Sequence, residues 1–285
     1  MSDEQHYLVL AGVDGSTVSP AVVDYASWIS KTVDAPLKLL HTVEQRPLPV
    51  VTDLSGTIGL GTREELLQEL IEVEQQRSRE LMAKGDVMLE TAEKRAHTAG
   101  VTSIEKCQRH GSLNESLIEL EDKIRVLVLG IRGEEGEANK TAVGTQIESA
   151  IRSLHRPILI VNKAYSEPRK IMLAYDGSPA SAKALTMIVS SPLFKKTECH
   201  IVHVGKEQSG LLEAAEQQLN SAGIRCVTQN LEGKAEEVII QYQTDNQIDL
   251  TVMGAFSHHR LRDLLFGSFT AQMLELTHLP LLLLR

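Results

Sequence analysis

The sequence predicts an α/β protein built as two tandem Rossmann-like domains, each an open five-stranded parallel sheet with helices on both faces. Three observations predict it. The chain repeats itself in register, short apolar runs alternate with helical patterns, and the first and fourth runs of each repeat end in Asp-Gly-Ser or glycine. Strands that alternate with helices pair in parallel and are covered on both faces. Sheets of this kind bind ligands beyond the carboxyl ends of their strands.

The repeat is read from six landmarks. Val9 to Thr17 recurs as Ile171 to Pro179, so that Asp14 maps onto Asp176 at an offset of 162, and His41 maps onto His203 at the same offset. Further on, Gly100 maps onto Gly223, Val126–Gly130 onto Leu250–Gly254, Gly144 onto Gly267 and Arg156–Val161 onto Leu279–Leu284, at offsets of 123 or 124. The drop places about 39 extra residues in the first half. The expected domains are 1–165 and 168–285, joined at the polar Tyr165-Ser166-Glu167-Pro168, with a helical insertion at about 46–85 in the first.

Within each half the elements follow in order. Leu8 to Val13 and Ile171 to Tyr175 read as buried parallel strands. A helix follows, with Val22, Ala26, Ile29 and Val33 at helical spacing and a proline near each start, Pro20 or Pro179. The second strand is Leu37 to Val43 or Cys199 to Val204. The next helix stops at Gly100 or Gly223. A third strand, a helix opened by Gly111 or Gly233, a fourth strand, a helix and a fifth strand complete the unit. Of the inserted residues, 46–62 read as loop, with Pro47, Pro49, Gly56, Gly59 and Gly61. Residues 63–98 read as a mostly polar helix with one apolar face, either a lengthened surface helix or a partner contact.

Composition bounds the function. Apolar residues are 42% and charged residues 24% of 285, which excludes a disordered chain. The net charge of −9 argues against a nucleic-acid partner. No apolar run approaches the ~18 residues of a membrane span, and the acidic N-terminus does not read as a signal peptide. Cys107, Cys199 and Cys226 show no Cys-x-x-Cys spacing. They read as reduced thiols of a cytoplasmic protein.

The segment after the fourth strand of the second half carries the chemistry. Gly254 sits at the strand end, and Gly267-Ser268 precedes a helix from Phe269 to Leu276. A helix N-terminus offers unpaired N–H groups and partial positive charge, a seat for an anion. Glycine lets backbone approach a phosphate, and His258, His259, Arg260 and Arg262 suit one. A Gly-Ser before a helix also serves as a plain cap.

The spacing Gly-x2-Gly-x9-Gly-[Ser/Thr], with Asp-Gly-Ser closing the first strand, resembles the universal stress protein family, and both halves are similar to it along their whole length. The resemblance implies a tandem member that holds ATP, or AMP or ADP, with Mg2+ as a companion ion. It implies Asp176 and Val204 at the adenosine, and Met253, Gly254, Gly267, Ser268 and Phe269 at the phosphates; with Gly177, Ser178, Ser257, His258 and Arg260 these make up the expected nucleotide site. Ser257 stands where the family has its second glycine. In the first half the matching positions are Asp14, Gly15, Thr42, Gly130, Gly133, Gly144 and Thr145. There the glycine spacing is one residue longer, and Glu134, Glu135 and Glu137 face one Lys140. Carboxylates repel a triphosphate, so the second half is the expected site. The resemblance also implies association through last strands, an internal pseudo-dimer, with a homodimer of the whole chain on top of it.

Other chemistries are set aside. There is no GxxxxGK[ST] and no GxSxG. His200 and His203, three apart on a strand, face opposite ways and make no metal pair; His41 and His203 recur in equivalent places and read as packing residues. No metal site and no catalytic set is expected, with at most slow ATP hydrolysis. The expected function is a nucleotide-binding stress-response regulator or protective factor. The alternative is an interaction module or dimerisation platform that binds no nucleotide.

Overall fold

The structure, a computed structural model, describes residues 7–43, 60–131, 145–206, 210–255 and 268–285. Side chains of residues 60–67, 69, 145 and 268 lie outside the description. The first half runs β1 (Leu8–Gly12), α1 (Ser19–Val33), β2 (Leu37–Val43), α2 (Leu60–Thr98), β3 (Ile104–His110), α3 (Leu113–Leu120), β4 (Ile124–Gly130), α4 (Thr145–Ser153) and β5 (Ile158–Val161). The second repeats the order with β6 (Lys170–Ala174), α5 (Pro179–Ser190), β7 (Glu198–Val204), α6 (Leu211–Ser221), β8 (Arg225–Leu231), α7 (Ala235–Asp245), β9 (Leu250–Gly254), α8 (Ser268–Leu276) and β10 (Leu281–Leu284).

The strands form one ten-stranded sheet in the order β3-β2-β1-β4-β5-β10-β9-β6-β7-β8. Each half is parallel throughout, as expected. The two open sheets are not separate bodies. Antiparallel pairing of β5 with β10 (Leu281 with Ile160, Leu282 with Leu159, Leu283 with Ile158) fuses them.

Side-chain alternation then sorts the core into two layers. Val9, Ala11, Leu159, Val161, Leu282 and Leu284 pack on one face beneath α1, α2 and α5. Leu8, Leu10, Ile158, Ile160, Leu281 and Leu283 pack on the other, with α3, α4 and α8. Both layers run unbroken across the junction. Polar groups tie its ends. Asn162 Nδ2 donates to the Thr277 and Leu279 carbonyls at 3.0 and 2.9 Å, and Lys183 Nζ donates to the Arg285 carbonyl at 3.1 Å. The segment between β5 and β6 is held on α1. The Tyr25 and Tyr165 rings meet edge-on at 4.9 Å, and Tyr25 Oη donates to the Ser166 carbonyl. Burial pushes the Tyr165 phenol up to about 12.

The outer strands β3 and β8 are half-exposed and polar, which blunts an open edge. Lys38 pairs with Glu105 and Lys106 with Glu93 at 2.9 and 2.7 Å.

One expectation is corrected. The helix read as starting at residue 63 begins at Leu60, so Gly61 lies inside it. One internal glycine costs only about 1 kcal/mol, and 39 residues of helix carry that. Residues 46–59, the remainder of the region read as loop, lie outside the described residues.

His200 and His203 lie on opposite faces of β7, as their spacing predicts. His200 Nδ1 meets Tyr242 Oη at 2.8 Å and its Nε2 meets Glu198 Oε1 at 3.1 Å. The His200 hydrogen bond is the largest influence holding the Glu198 carboxyl below the usual carboxylate range. A depressed folded value means that this stabilisation is present above the unfolded carboxylate pKa and is lost as pH falls through the folded one. In urea titrations between pH 3 and 6, Glu198→Gln is expected to flatten the acid-side loss of stability relative to the parent. An unchanged slope would refute the pairing.

Candidate functional site

Parallel strands deliver all their carboxyl ends, and the helix N-termini that follow, to one rim. In the second half a cleft of 360 Å³ opens there, within the range of small-molecule sites. Val202, Val204, Ile239, Met253 and Phe269 supply apolar wall, and Asp176, Ser178, Ser181, Glu236 and Gln272 supply polar groups. Three helices reach it with their first turns: α5 through Ser178 and Ser181, α7 through Ala235 and Glu236, and α8 through Phe269 and Gln272. A helix N-terminus carries partial positive charge, and at α5 and α7 the carboxylates of Asp176 and Glu236 stand against it.

Local chemistry fixes each part. Gly177, at φ +76°, turns the chain after β6, a conformation that costs a side-chain-bearing residue. Asp176 Oδ1 then accepts from the Ser178 N–H at 3.0 Å. Ser178 is the N-cap of α5 and accepts from the Ser181 N–H. His203 Nδ1 reaches the Tyr175 carbonyl at 2.9 Å, bracing the residue before Asp176. Its counterpart His41 does the same to Val13, before Asp14, at 2.7 Å. These histidines therefore hold the aspartate turns, a more specific role than the packing expected of them. Thr270 Oγ1 donates to the Ala255 carbonyl at 2.7 Å and pins the start of α8 to the end of β9.

Gly254 has a reason that its motif does not reveal. A Cβ there would lie 2.6 Å from Ala180 Cβ and 3.1 Å from the Ala180 carbonyl carbon and the Ser181 nitrogen. The strand end and the first turn of α5 approach too closely for any side chain.

Glu236 was not among the expected site residues. It is buried, pairs with Lys234 Nζ at 3.0 Å and lines the cleft. Its own backbone N–H, then Lys234, holds its carboxyl below the usual range. It thus occupies the positive end of α7 as an anion, as Asp176 does at the start of α5. The signal in sequence was faint: a carboxylate two residues into a helix ordinarily reads as helix-dipole matching alone.

Of the expected second-half residues, Asp176, Ser178, Val204, Met253, Gly254 and Phe269 come together in this cleft. Gly177 shapes the turn beside it. Ser257, His258, Arg260 and Gly267 lie outside the described residues, and Ser268 is placed only as the start of α8.

The first half shares the frame but uses its aspartate differently. Asp14 Oδ1 accepts from the Ser16 N–H at 3.0 Å and from the Ser16 and Ser19 hydroxyls, both at 2.7 Å. In the second half the hydroxyl equivalent to Ser19, that of Ser181, turns to the Ser178 carbonyl at 3.0 Å. Gly15, at φ +77°, turns the chain as Gly177 does. Thr42 is the penultimate residue of β2, and Gly130 ends β4. Gly133 and Gly144 lie outside the described residues, and Thr145 is placed only as the start of α4.

A doubly wound parallel unit, duplicated and fused edge to edge, with a cleft at one rim, defines a tandem Rossmann-like α/β class. The comparisons narrow it. The universal stress protein family matches residues 8–162 and 204–285. The chain is 36% identical over 284 residues to universal stress protein Slr1230 of Synechocystis, spanning 97% of this chain and 99% of that one. It is 25% identical over 145 residues to universal stress protein YxiE of Bacillus subtilis, spanning 41% of this chain and 98% of that one. Among solved structures, a universal stress protein of Archaeoglobus fulgidus superposes with a TM-score of 0.74 at 18% identity over 99% of both chains. The chain belongs to the universal stress protein family.

Proposed function

We propose that this stress protein binds an adenine nucleotide, ATP foremost and AMP or ADP also, in the second-half cleft. It would act in the cytoplasm as a regulator or protective factor. One observation carries the reading: six residues expected at the site, drawn from five different elements and turns, line a single cleft. The apolar wall of Val202, Val204, Ile239 and Met253 suits a flat base. The Asp176 carboxylate suits hydroxyl or amino donors of the nucleoside. The N-terminus of α8 suits the phosphates. Magnesium favours carboxylate and phosphate oxygens. Among the described residues no group of three His, Cys, Asp or Glu could hold a metal, so the ion would arrive with the triphosphate. Only slow hydrolysis, if any, is expected.

The first half is proposed as a weak or non-binding copy, because Asp14 spends its Oδ1 on three internal donors. Isothermal titration tests both statements. Asp176→Ala is expected to lower ATP affinity at least about tenfold, the worth of a charged hydrogen bond. Asp14→Ala is expected to leave affinity unchanged. A parent protein that gives no heat with ATP, ADP or AMP overturns the reading and leaves the interaction module.

A further inference from the structure

We infer that the projecting half of α2 is a self-recognition element that pairs two chains as an antiparallel coiled coil. The helix is 39 residues long, about 58 Å at 1.5 Å per residue. Only its C-terminal part is seated: Leu89, Ala92 and Ala96 are buried, and the Met82 carbonyl accepts from Gln108 Nε2. Towards the N-terminus, Leu70, Ile71 and Val73 are 43%, 47% and 56% exposed. A lone helix in water is marginal without a packed face, and three large aliphatics on one exposed stretch call for a partner.

The sequence of that stretch says which partner. Positions 67, 70, 74, 77, 81, 84 and 88 alternate steps of three and four, the seam of a heptad repeat. They hold Leu67, Leu70, Glu74, Arg77, Leu81, Lys84 and, where the helix already packs on its own core, Met88. An antiparallel pair with its two-fold axis between Gln75 and Gln76 sets Leu70 opposite the partner's Leu81. The same axis sets Glu74 opposite the partner's Arg77, and both contacts occur twice. A parallel pair would instead stack Glu74 on the partner's Glu74 and Arg77 on the partner's Arg77. Charge therefore selects the antiparallel arrangement and its register, the role that polar seam residues play in coiled coils. From Leu70 to Leu81 the seam is complementary to itself, and Leu67 falls opposite the partner's Lys84, whose aliphatic stem can lie along it, so the occupant is a second copy of this chain. This inference does not depend on nucleotide binding.

Sedimentation of the full chain tests it. The parent is expected to run at twice the mass of one chain at tens of micromolar. Glu74→Arg alone and Arg77→Glu alone are each expected to weaken the dimer at least about tenfold. Mixing the two variants is expected to restore a mixed dimer, and the combined Glu74→Arg/Arg77→Glu chain to dimerise like the parent. Circular dichroism melts matching the parent would show that each variant is folded. A monomeric parent overturns the proposal, as does a dimer indifferent to Arg77→Glu or single variants that fail to rescue each other.

Discussion

Replacing Leu282 with aspartate is expected to remove about 4 kcal/mol or more of stability. Leu282 is 3% exposed and lies opposite Leu159, which is 1% exposed, in the antiparallel pair that fuses the halves. Both belong to the layer shared with α1 and α5. A carboxylate placed there would sit in an apolar layer, and burying an unpaired charge is among the costliest single changes. The strand pair is short, with four residues in each of β5 and β10, so it has little redundancy to absorb the loss. Urea unfolding of the full chain measures it. Leu276→Gln, at a side chain 44% exposed on α8, should stay within about 0.5 kcal/mol of the parent. If Leu282→Asp behaves like that control, β5 and β10 do not form the core junction described here.

Gly254→Val should both destabilise the protein and abolish ligand uptake by the second half. Valine is a favourable strand residue, so propensity opposes the expected loss and sterics alone must cause it. The new Cβ would meet Ala180 Cβ at 2.6 Å and backbone atoms at 3.1 Å. Backbone cannot rotate away as a side-chain tip would. The first turn of α5 must move, at a cost of about 3 kcal/mol. That turn carries Ser178 and Ser181, which line the cleft with Gly254 itself, so the site is deformed as well as narrowed. The smaller Gly254→Ala change should be partly rescued by Ala180→Gly, because the closest contact is removed from the other side. Thermal melts of the single and double variants, paired with ATP titration, provide the check. A Gly254→Val protein that melts and binds like the parent would remove the close approach from the argument.

The pattern of residues in the chain determined the tandem architecture, because burial on both faces of a parallel sheet leaves repeating apolar runs and glycine stops in any sequence that folds this way. The same repeat offset that matches Asp14 to Asp176 marked both aspartate turns. The glycine spacing marked β9 and α8 as their neighbours. Only the tertiary structure decided what the two turns do. Asp-Gly-Ser is identical in both halves, yet one carboxylate is bound by the Ser16 and Ser19 hydroxyls, while in the other half Ser181 bonds elsewhere. A hydroxyl rotor answers to its surroundings and leaves no trace in a motif. Glu236, Ser181 and Gln272 were hidden for a related reason. They reach the cleft from the first turns of three helices, and only the packing of those helices on the sheet brings the turns together. Gly254 shows both levels at once: its place was readable from the spacing, but the demand for glycine comes from Ala180, 74 positions earlier in the chain. The apolar β5 and β10 likewise announced burial in sequence. Their association was an expectation of the resemblance; that they pair antiparallel and join both halves into one sheet was decided in space, where an unpaired hydrophobic edge is satisfied by another strand.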